Sequence, residues 1–215
     1  MQILLCAATE MEIAPTIQAL SLHENRTVNL LITGVGLVAA TYALTKEAVQ
    51  NRPDLIIQAG VAGTLQPQDS LGSVVVVGSE CLGDLGVKEA SGFRSLFDLH
   101  LLGTNTPPWN ETRLTNDVER LRATGLPIVS GVTVNEISTD EATVRYYRDQ
   151  LNAQVESMEG AALHYVGLLE KIPFLQIRSL SNFIGERDKS KWKMKEAIAS
   201  LNREVQKILT KLKAS

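Results

Sequence analysis

The chain contains little cysteine, histidine or aromatic side chain. Its 215 residues include two cysteines and three histidines, and Phe, Trp and Tyr together make up 5%. Cys6 and Cys81 are too few for a disulfide-stabilised scaffold, so we expect reduced thiols in a cytoplasmic protein. The histidines, His23, His100 and His164, are scattered and show no spacing typical of a metal site. The sequence therefore predicts no disulfide scaffold, no bound metal and no cofactor.

Long hydrophobic runs and an excess of positive charge are also absent. No apolar stretch approaches the roughly 20 residues that a membrane-spanning helix needs. The first apolar run, Ile3–Ala8, is short and follows no basic region, which is typical of a first β-strand rather than a signal peptide. A formal net charge of −3 gives no general attraction to nucleic acid or to an anionic membrane. We therefore expect a small molecule as the partner, with neither nucleic acid nor a membrane involved.

Apolar residues make up 44% of the chain and occur in alternating strand-like and helix-like segments. This alternation predicts one α/β domain over residues 1–215, with helices packed on a parallel or mixed sheet. In the last helix, apolar residues recur every three or four positions, which predicts docking on the sheet. The predicted strands are Ile3–Ala8, Val28–Thr33, Leu55–Ala59, Val74–Gly78, Pro127–Gly131, Ala153–Met158 and Phe174–Ser179. The predicted helices are Glu10–Leu20, Leu37–Asn51, Asn116–Ala123, Asp140–Asn152, Glu159–Lys171 and Lys191–Lys213.

The segment Cys81–Arg113 departs from this alternation. It contains several glycines and the pair Pro107-Pro108, and its apolar residues show no clear period. We interpret it as a long irregular excursion at a rim or a subunit contact.

Four carboxylates occupy positions where a polar ligand could meet the sheet. Glu10 and Glu12 follow the first strand, and Glu156 and Glu159 lie three residues apart across a strand end and a helix start. Two nearby carboxylates suit a general base that activates water. The alternative for Glu10, Glu12 and Glu159 is a structural role at a helix N-terminus. Arg178 ends an apolar strand, so we expect its guanidinium to meet a carboxylate or a ligand.

Two glycine segments also follow strands. Gly34–Ala39 matches the dinucleotide pattern G-x-G-x-x-A, but no acidic residue ends the next strand, since Asp54 stands at its start. We interpret it as a turn that exposes helix N-terminal amides to a polar ligand. Gly60–Thr64 follows a buried strand and predicts either a tight turn or close approach of a ligand to the backbone. Ser181 and Asn182 close a later strand, as an ordinary turn or as ligand contacts.

Together these segments resemble the nucleoside phosphorylase and nucleosidase superfamily over nearly the whole chain, in both order and spacing. The resemblance implies a mixed, partly barrel-like central sheet flanked by helices. It also implies a purine nucleoside substrate and a homo-oligomer, a dimer or higher. The segments that carry it are Ala8–Glu12, Thr33–Gly36, Ala59–Gly63, Val155–Ala162 and Arg178–Asn182.

Within the superfamily, the chain resembles the bacterial methylthioadenosine and S-adenosylhomocysteine nucleosidases and, more closely, the futalosine hydrolases. The former have Ser-Asp after the arginine strand, whereas this chain has Ser181-Asn182. Gly131–Asn135 and Gly185–Trp192 are similar to futalosine hydrolases, which remove hypoxanthine from futalosine in the alternative menaquinone pathway. Hypoxanthine carries the acceptor O6, to which an amide can donate and a carboxylate cannot. We therefore expect an N-glycosidic bond hydrolase of the futalosine type.

The resemblance also implies roles for individual residues. Glu12 would deprotonate or orient water, Arg178 would help to place that water, and Asn182 would support the departing base. Met158 and Glu159 would contact the ribose. The other implied substrate contacts are Ala8, Gly34, Val61, Ala62, Gly63, Val134, Asn135, Ser181 and Arg187, the last with Lys189 or Lys191 as an alternative partner for a carboxylate on the 5′ side.

Three other functions remain compatible with the sequence. A methylthioadenosine-type nucleosidase that tolerates Asn182 would release adenine. A phosphorylase would require phosphate, but its relatives usually supply an arginine where this chain has Ala7–Thr9. A noncatalytic nucleoside-binding protein would release no base. Two further departures from the pattern concern the site: no aromatic residue stands at Val134-Asn135, and Val61 replaces a frequent serine.

Overall fold

The computed structural model describes residues 1–21, 27–90 and 92–214. A mixed β-sheet lies between helices, which confirms the predicted α/β fold class. The strands are β1 (Ile3–Ala7), β2 (Val28–Ile32), β3 (Leu55–Thr64), β4 (Val74–Leu82), β5 (Gly86–Glu89), β6 (Gly92–Ser95), β7 (Leu114–Thr115), β8 (Ile128–Thr133), β9 (Val155–Ser157) and β10 (Phe174–Phe183). The helices are α1 (Glu10–Ser21), α2 (Leu37–Asn51), α3 (Val118–Arg122), α4 (Glu141–Arg145), α5 (Gly160–Glu170) and α6 (Met194–Ala214). In the described part of the chain, no helix is both long and apolar enough to cross a membrane.

Five strands of the sheet close into a barrel. They are neighbours in the order β10-β4-β8-β9-β3, and β3 also pairs with β10. Strands β1 and β2 extend the sheet outward from β3. Because β3 and β10 are parallel, their carboxyl ends lie at the same end of the barrel. The antiparallel strand β9 joins them there.

Alternate residues of the central strands face two different helix layers. In β1, Leu5 belongs to the same apolar cluster as Leu201 of α6. The next residue, Cys6, packs in a second cluster with Leu44 of α2 and Leu163 of α5. Each fully buried leucine contributes roughly 1.5–3 kcal/mol, so helices on both faces hold the strands in place. The apolar face predicted for the last helix is confirmed, since Leu201 and its successors at three- and four-residue spacing are buried.

Four strands, β3, β4, β8 and β10, continue beyond their predicted ends. β3 and β10 run on to Thr64 and Phe183, because they pair with each other in parallel along their whole length. The interpretation of Gly60–Thr64 as a tight turn is therefore wrong. The segment is strand, and its small residues lie at the end of the barrel.

The segment Cys81–Arg113 is also more regular than expected. β4 extends to Leu82, and β5 and β6 form a separate two-stranded hairpin. The hairpin is largely exposed, so it lacks the buried apolar alternation by which strands are predicted from sequence.

Candidate active site

A cavity of about 300 Å³ lies at the end of the barrel where β3, β9 and β10 meet the starts of α1, α5 and α6. Apolar side chains such as Ile137, Ile184 and Trp192 form much of its wall. Several of the predicted site residues line it together: Ala8, Glu12, Val61, Ala62, Gly63, Met158, Glu159, Ser181 and Asn182. The carboxyl ends of parallel strands are where α/β proteins commonly bind ligands.

Glu12 is held in the cavity wall by three hydrogen bonds. Its Oε2 accepts from the backbone amide of Thr9 at 2.9 Å and from the Thr9 hydroxyl at 3.0 Å. Its Oε1 accepts from the amide of Val61 at 3.1 Å. The side chain thus caps the first turn of α1, as the structural alternative proposed, and also faces the cavity. Glu10 is exposed and does not line it.

Glu159 and Arg178 form a buried ion pair beneath the cavity. The Arg178 Nη1 lies 3.7 Å from Glu159 Oε2, and the two side chains are only 2% and 7% exposed. Glu159 Oε1 accepts from the amide of Gly36 at 2.9 Å, and Arg178 Nη2 donates to Gln58 Oε1 at 2.9 Å. A Cβ at Gly60 would collide with the Arg178 guanidinium, so glycine at this position is a packing requirement. Arg178 therefore supports Glu159 from behind and does not itself line the cavity.

Asn182 reaches the cavity because β10 contains a one-residue bulge. The register of β10 on β3 shifts between Leu180 and Asn182, which places Asn182 opposite Gly63. The Ser181 hydroxyl lies 2.8 Å from Asn182 Oδ1 and 3.2 Å from the carbonyl of Ala62, and its single hydrogen is donated to the nearer Oδ1. Asn182 Nδ2 donates to the carbonyl of Phe183 at 3.2 Å. Since an amide nitrogen carries two hydrogens, one N–H of Asn182 remains for a ligand.

A sequence profile described as the phosphorylase superfamily matches residues 16–214. The chain belongs to the phosphorylase superfamily. A futalosine hydrolase from Streptomyces coelicolor is 32% identical over 186 residues, which cover 84% of this chain and 77% of that protein. A futalosine hydrolase from Thermus thermophilus is 33% identical over 187 residues, covering 83% of this chain and 80% of that protein.

Solved structures of 5′-methylthioadenosine/S-adenosylhomocysteine nucleosidases share the fold. The 5′-methylthioadenosine/S-adenosylhomocysteine nucleosidase from Helicobacter pylori with butyl-thio-DADMe-Immucillin-A superposes with a TM-score of 0.82, covering 98% of this chain and 99% of that chain. A mutant of the Helicobacter pylori enzyme with 5′-methylthioadenosine in its active site gives a TM-score of 0.80, with 98% of each chain covered. Their sequence identities are 14% and 16%, so this likeness concerns the fold.

Four other predicted residues of this superfamily member lie outside the cavity lining. Val134 is fully buried in an apolar cluster with Tyr147. Asn135 is exposed, and its backbone amide and Nδ2 both donate to Asp84, at 2.5 and 3.2 Å. Gly34 adopts a positive φ of 81° before α2, and its neighbour Val35 lines the cavity instead. The remaining residue is Arg187, which is exposed and lies over the ring of Trp192.

Sequence reasoning assigned no ligand role to several residues that line the cavity. Thr9 could have been found, because Thr9-x-x-Glu12 is a capping-box pattern in which the two residues bond each other. Ile137 gives a weaker signal, as one apolar side chain in a polar loop. Trp192 follows β10 in the connection to α6, where its indole N–H donates to the carbonyl of Glu186 at 3.0 Å, a contact that local sequence pattern does not indicate.

A buried polar network also lies under the start of α5. The Thr133 hydroxyl donates to Glu80 Oε2 at 3.0 Å and accepts from the amide of Ala161 at 2.8 Å. Gln176 Nε2 donates to Glu80 Oε1 at 2.9 Å. Burial raises the pKa of Glu80 to about 7. The network fixes the turn that carries Glu159, although Glu80 does not reach the cavity.

The two histidines that the structure describes, His100 and His164, lie away from the cavity lining. His164 is buried, its Nδ1 donates to the carbonyl of Leu114 at 2.9 Å, and burial lowers its pKa to about 4. His100 is exposed, and His23 lies outside the described residues. Within the described ranges, no three His, Cys, Asp or Glu side chains are grouped closely enough to hold a metal ion.

Proposed function

We propose that the chain is a futalosine hydrolase, which cleaves the N-glycosidic bond of futalosine with water and releases hypoxanthine and dehypoxanthine futalosine. The reaction belongs to the alternative menaquinone pathway. The observation that carries the proposal is the meeting of two buried carboxylates, Glu12 and Glu159, with the Asn182 carboxamide in one cavity. The similarity to curated futalosine hydrolases over most of their length supports the same activity.

Glu12 is the group that activates water in this proposal. Its side chain is only 8% exposed, and three protein hydrogen bonds fix its orientation. A carboxylate held in this way can take a proton from water as the water oxygen attacks C1′ of the ribose. The C1′–N9 electron pair leaves with the purine, and the ribose acquires oxocarbenium character.

Glu159 and Met158 form the ribose subsite in this proposal. A carboxylate accepts hydrogen bonds from sugar hydroxyls and stabilises positive charge that develops on the ring. The buried Arg178 holds Glu159 in place through the ion pair described above. Arg178 is thus proposed as a positioning residue for the carboxylate, and through Glu159 for the substrate.

Asn182 supports the departing base. Because Ser181 occupies Oδ1, the amide presents a donor to the cavity, which suits N7 or O6 of hypoxanthine. Asn cannot transfer a proton, so the proposal requires a base that leaves readily as an anion. A 6-oxopurine meets this requirement better than adenine does.

Arg187 is proposed as the partner of the carboxylate on the 5′ side of futalosine. Its guanidinium lies 5.7 Å from the ring centroid of Trp192, which lines the cavity. The nearby Lys191 already pairs with Glu186 at 2.5 Å, so Arg187 is the better candidate. Replacement of Arg187 by Ala should raise KM for futalosine and leave KM for inosine unchanged. Lys189→Ala tests the alternative partner and should leave KM for both substrates unchanged. Equal effects of Arg187→Ala on both substrates would contradict the contact.

A second copy of the chain is proposed to cover the exposed apolar face of α2. Val38, Tyr42 and Val49 share this face and are 66–81% exposed, and Val35 connects it to the cavity. Sedimentation velocity should give a homo-oligomer that Val38→Lys dissociates, and a monomeric wild-type protein would contradict it.

We propose the cytoplasm as its compartment, in keeping with the free thiols of Cys6 and Cys81.

Chromatography of reaction products tests the proposed activity directly. Futalosine, aminodeoxyfutalosine, inosine and methylthioadenosine are each incubated with the protein, with and without phosphate. Hypoxanthine release from futalosine without phosphate is the expected result. Adenine release alone would indicate a methylthioadenosine-type nucleosidase, a phosphate requirement would indicate a phosphorylase, and binding without release would indicate a noncatalytic protein.

A further inference from the structure

Glu156 is a cavity carboxylate to which the mechanism above gives no role. It lines the same cavity as Glu12 and Glu159 but is only 4% exposed. Its Oε1 accepts from the backbone amide of Ser138 at 3.2 Å. Its Oε2 has no partner with hydrogen-bond geometry among the described residues, although the Ser138 hydroxyl, which also lacks such a partner, interacts with the carboxyl group. A buried carboxylate oxygen without a donor is costly, so this atom indicates a donor supplied by a ligand.

The strand register places Glu156 at the same level of the cavity as Asn182. Gly63 of β3 pairs with Asn182 on one side and with Glu156 on the other. Paired residues on neighbouring strands project to the same face, and two strand spacings separate their Cα atoms by about 10 Å. The two polar side chains therefore flank Gly63 from opposite sides.

The space between these two side chains suits a flat ring. Ile184 packs directly over Gly63, where a Cβ would collide with its side chain, and it also lines the cavity. It gives an apolar surface at the level of Asn182 and Glu156. Glu12 contacts Val61, which precedes Gly63 by two residues on β3, so the two contact points are about 7 Å apart along the strand. This offset corresponds to the step from the sugar to the base of a nucleoside.

We propose that Glu156 Oε2 accepts a hydrogen bond from N1–H of a 6-oxopurine and thereby determines which purine is cleaved. N1 and N7 lie on opposite edges of the ring, so Glu156 serves N1 while Asn182 donates to N7 or O6. N1 of hypoxanthine carries a hydrogen, whereas N1 of adenine carries only a lone pair. A carboxylate accepts from the first and opposes the second. This inference rests on the proposed function and adds Glu156 to Asn182 as a second determinant of its base specificity.

A purely structural role for Glu156 would predict a different result. Its Oε1 holds the amide of Ser138, so replacement could loosen the loop that carries Ile137. That loss would lower activity on every nucleoside alike. Base selectivity, measured as a ratio of two substrates with the same 5′ group, separates the two roles.

The test compares kcat/KM for futalosine and for aminodeoxyfutalosine, its 6-amino counterpart, in wild-type protein and in Glu156→Gln. Glutamine keeps the shape and can donate to a bare N1. We expect Glu156→Gln to lose about 10- to 100-fold in kcat/KM on futalosine and to keep or gain activity on aminodeoxyfutalosine, since hydrogen bonds to charged groups have effects of this size. Glu136→Gln is the control, because Glu136 is an exposed residue of the loop that carries Ile137 and Ser138. This variant should leave the ratio of the two kcat/KM values unchanged.

A substrate variant tests the contact without altering the protein. N1-methylinosine has no N1–H, so the wild-type enzyme should cleave it at least 10-fold more slowly than inosine, about the effect of losing one such hydrogen bond. An unchanged futalosine-to-aminodeoxyfutalosine ratio in folded Glu156→Gln, or equal cleavage of inosine and N1-methylinosine, would overturn the role of Glu156 alone. A wild-type enzyme that cleaves only the 6-amino substrate would overturn both this inference and the proposed function.

Discussion

The side-chain amide of Asn202 donates a 2.8 Å hydrogen bond to the backbone carbonyl of Glu12. Its Oδ1 accepts from the amide of Thr16 at 3.0 Å. In an unbroken α-helix those two backbone groups would bond each other, since the pattern joins each amide to the carbonyl four residues earlier. Pro15 lies inside this turn of α1. Helix α6 therefore fixes the local geometry of the turn from which Glu12 reaches the cavity.

Replacement of Asn202 by Ala should reduce both stability and turnover. The variant leaves the Glu12 carbonyl and the Thr16 groups without their partner in a buried position, at a cost of about 1–3 kcal/mol. Urea denaturation measures this loss of stability. The kcat on futalosine should fall by a larger factor than KM rises, because the proposed general base, Glu12, is displaced. Asn51→Ala is the control, since Asn51 is exposed and its side chain bonds Glu47 on its own helix. A fully stable and fully active Asn202→Ala would contradict the positioning role.

Glu12→Gln should lower kcat at least about 100-fold if Glu12 takes the proton from water. The amide keeps the size of the side chain, but its nitrogen cannot accept from Thr9 or Val61 as the carboxylate does, so we also expect a loss of stability of about 1–3 kcal/mol. Circular dichroism at the assay temperature verifies that the variant is folded. Glu10→Gln provides the comparison, since Glu10 stands two residues away and is exposed. Steady-state kinetics on futalosine distinguish the two variants. A Glu12→Gln enzyme that retains most of the wild-type kcat would contradict the role of Glu12 as the general base.

The sequence predicted the parts of the fold that depend on local apolar pattern. The fully buried run of β1 and the apolar face of α6 were both visible as periodicity. The extension of β3 through Gly60–Thr64 was not, because glycine and alanine have weak strand propensity. There the strand is maintained by pairing with β9 and β10, which is a tertiary effect.

The candidate site could be predicted at residues such as arginine, which are rarely buried without a charged partner or a ligand. Arg178 follows an apolar run within β10, and its buried partner Glu159 was among the predicted residues. The bulge at Ser181 and the roles of Glu80 and Asn202 depend on register and on packing between distant segments. The resemblance predicted substrate contacts at Val134 and Asn135, but neither residue lines the cavity. Ile137 of the same loop lines it instead.

Arg178→Met should destabilise the protein by about 3–5 kcal/mol, because it leaves the buried Glu159 carboxylate without its cation. Adding Glu159→Gln to that variant should restore part of the loss, since the uncompensated charge is then gone. Urea denaturation of both variants measures this coupling. The exposed pair of Arg122 and Glu119 is the control, and Arg122→Met should change stability by less than about 0.5 kcal/mol. Similar losses at Arg178 and Arg122 would show that the buried pair is unimportant.

Asn182→Asp should move base preference from 6-oxopurine toward 6-aminopurine nucleosides. The carboxylate would oppose O6 of hypoxanthine and could accept from the amino group of adenine. Each mismatch costs about 1–3 kcal/mol, so we expect the ratio of kcat/KM values to change by about 10- to 100-fold. Ser181→Ala is a milder variant, because it frees Asn182 Oδ1 and allows the amide to rotate. If the folded Asn182→Asp variant has an unchanged ratio of kcat/KM for 6-oxopurine and 6-aminopurine nucleosides, the purine base binds elsewhere in the cavity.

Glu80 should make the stability of the protein depend on pH. Burial raises its pKa from 4.5 to about 7, so the folded protein retains a proton that the unfolded chain releases between these values. Its contribution to stability is therefore full below pH 4.5 and is lost as the pH rises through about 7. The lost amount is at most roughly 3 kcal/mol. His164, whose pKa is lowered to about 4, acts in the opposite direction, and its contribution is lost as the pH falls below 6.5.

The difference between wild type and Glu80→Gln isolates the Glu80 effect, because His164 is common to both proteins. Gln resembles the protonated acid and does not titrate, so it can still bond Thr133 and Gln176. The free energy of unfolding of Glu80→Gln, relative to wild type, should rise steadily between pH 4.5 and 7. Glu119→Gln, at an exposed position, should run parallel to wild type over that range. Parallel curves for Glu80→Gln would mean that Glu80 is ionised in the folded protein, and that Arg178 and Arg113 compensate its charge.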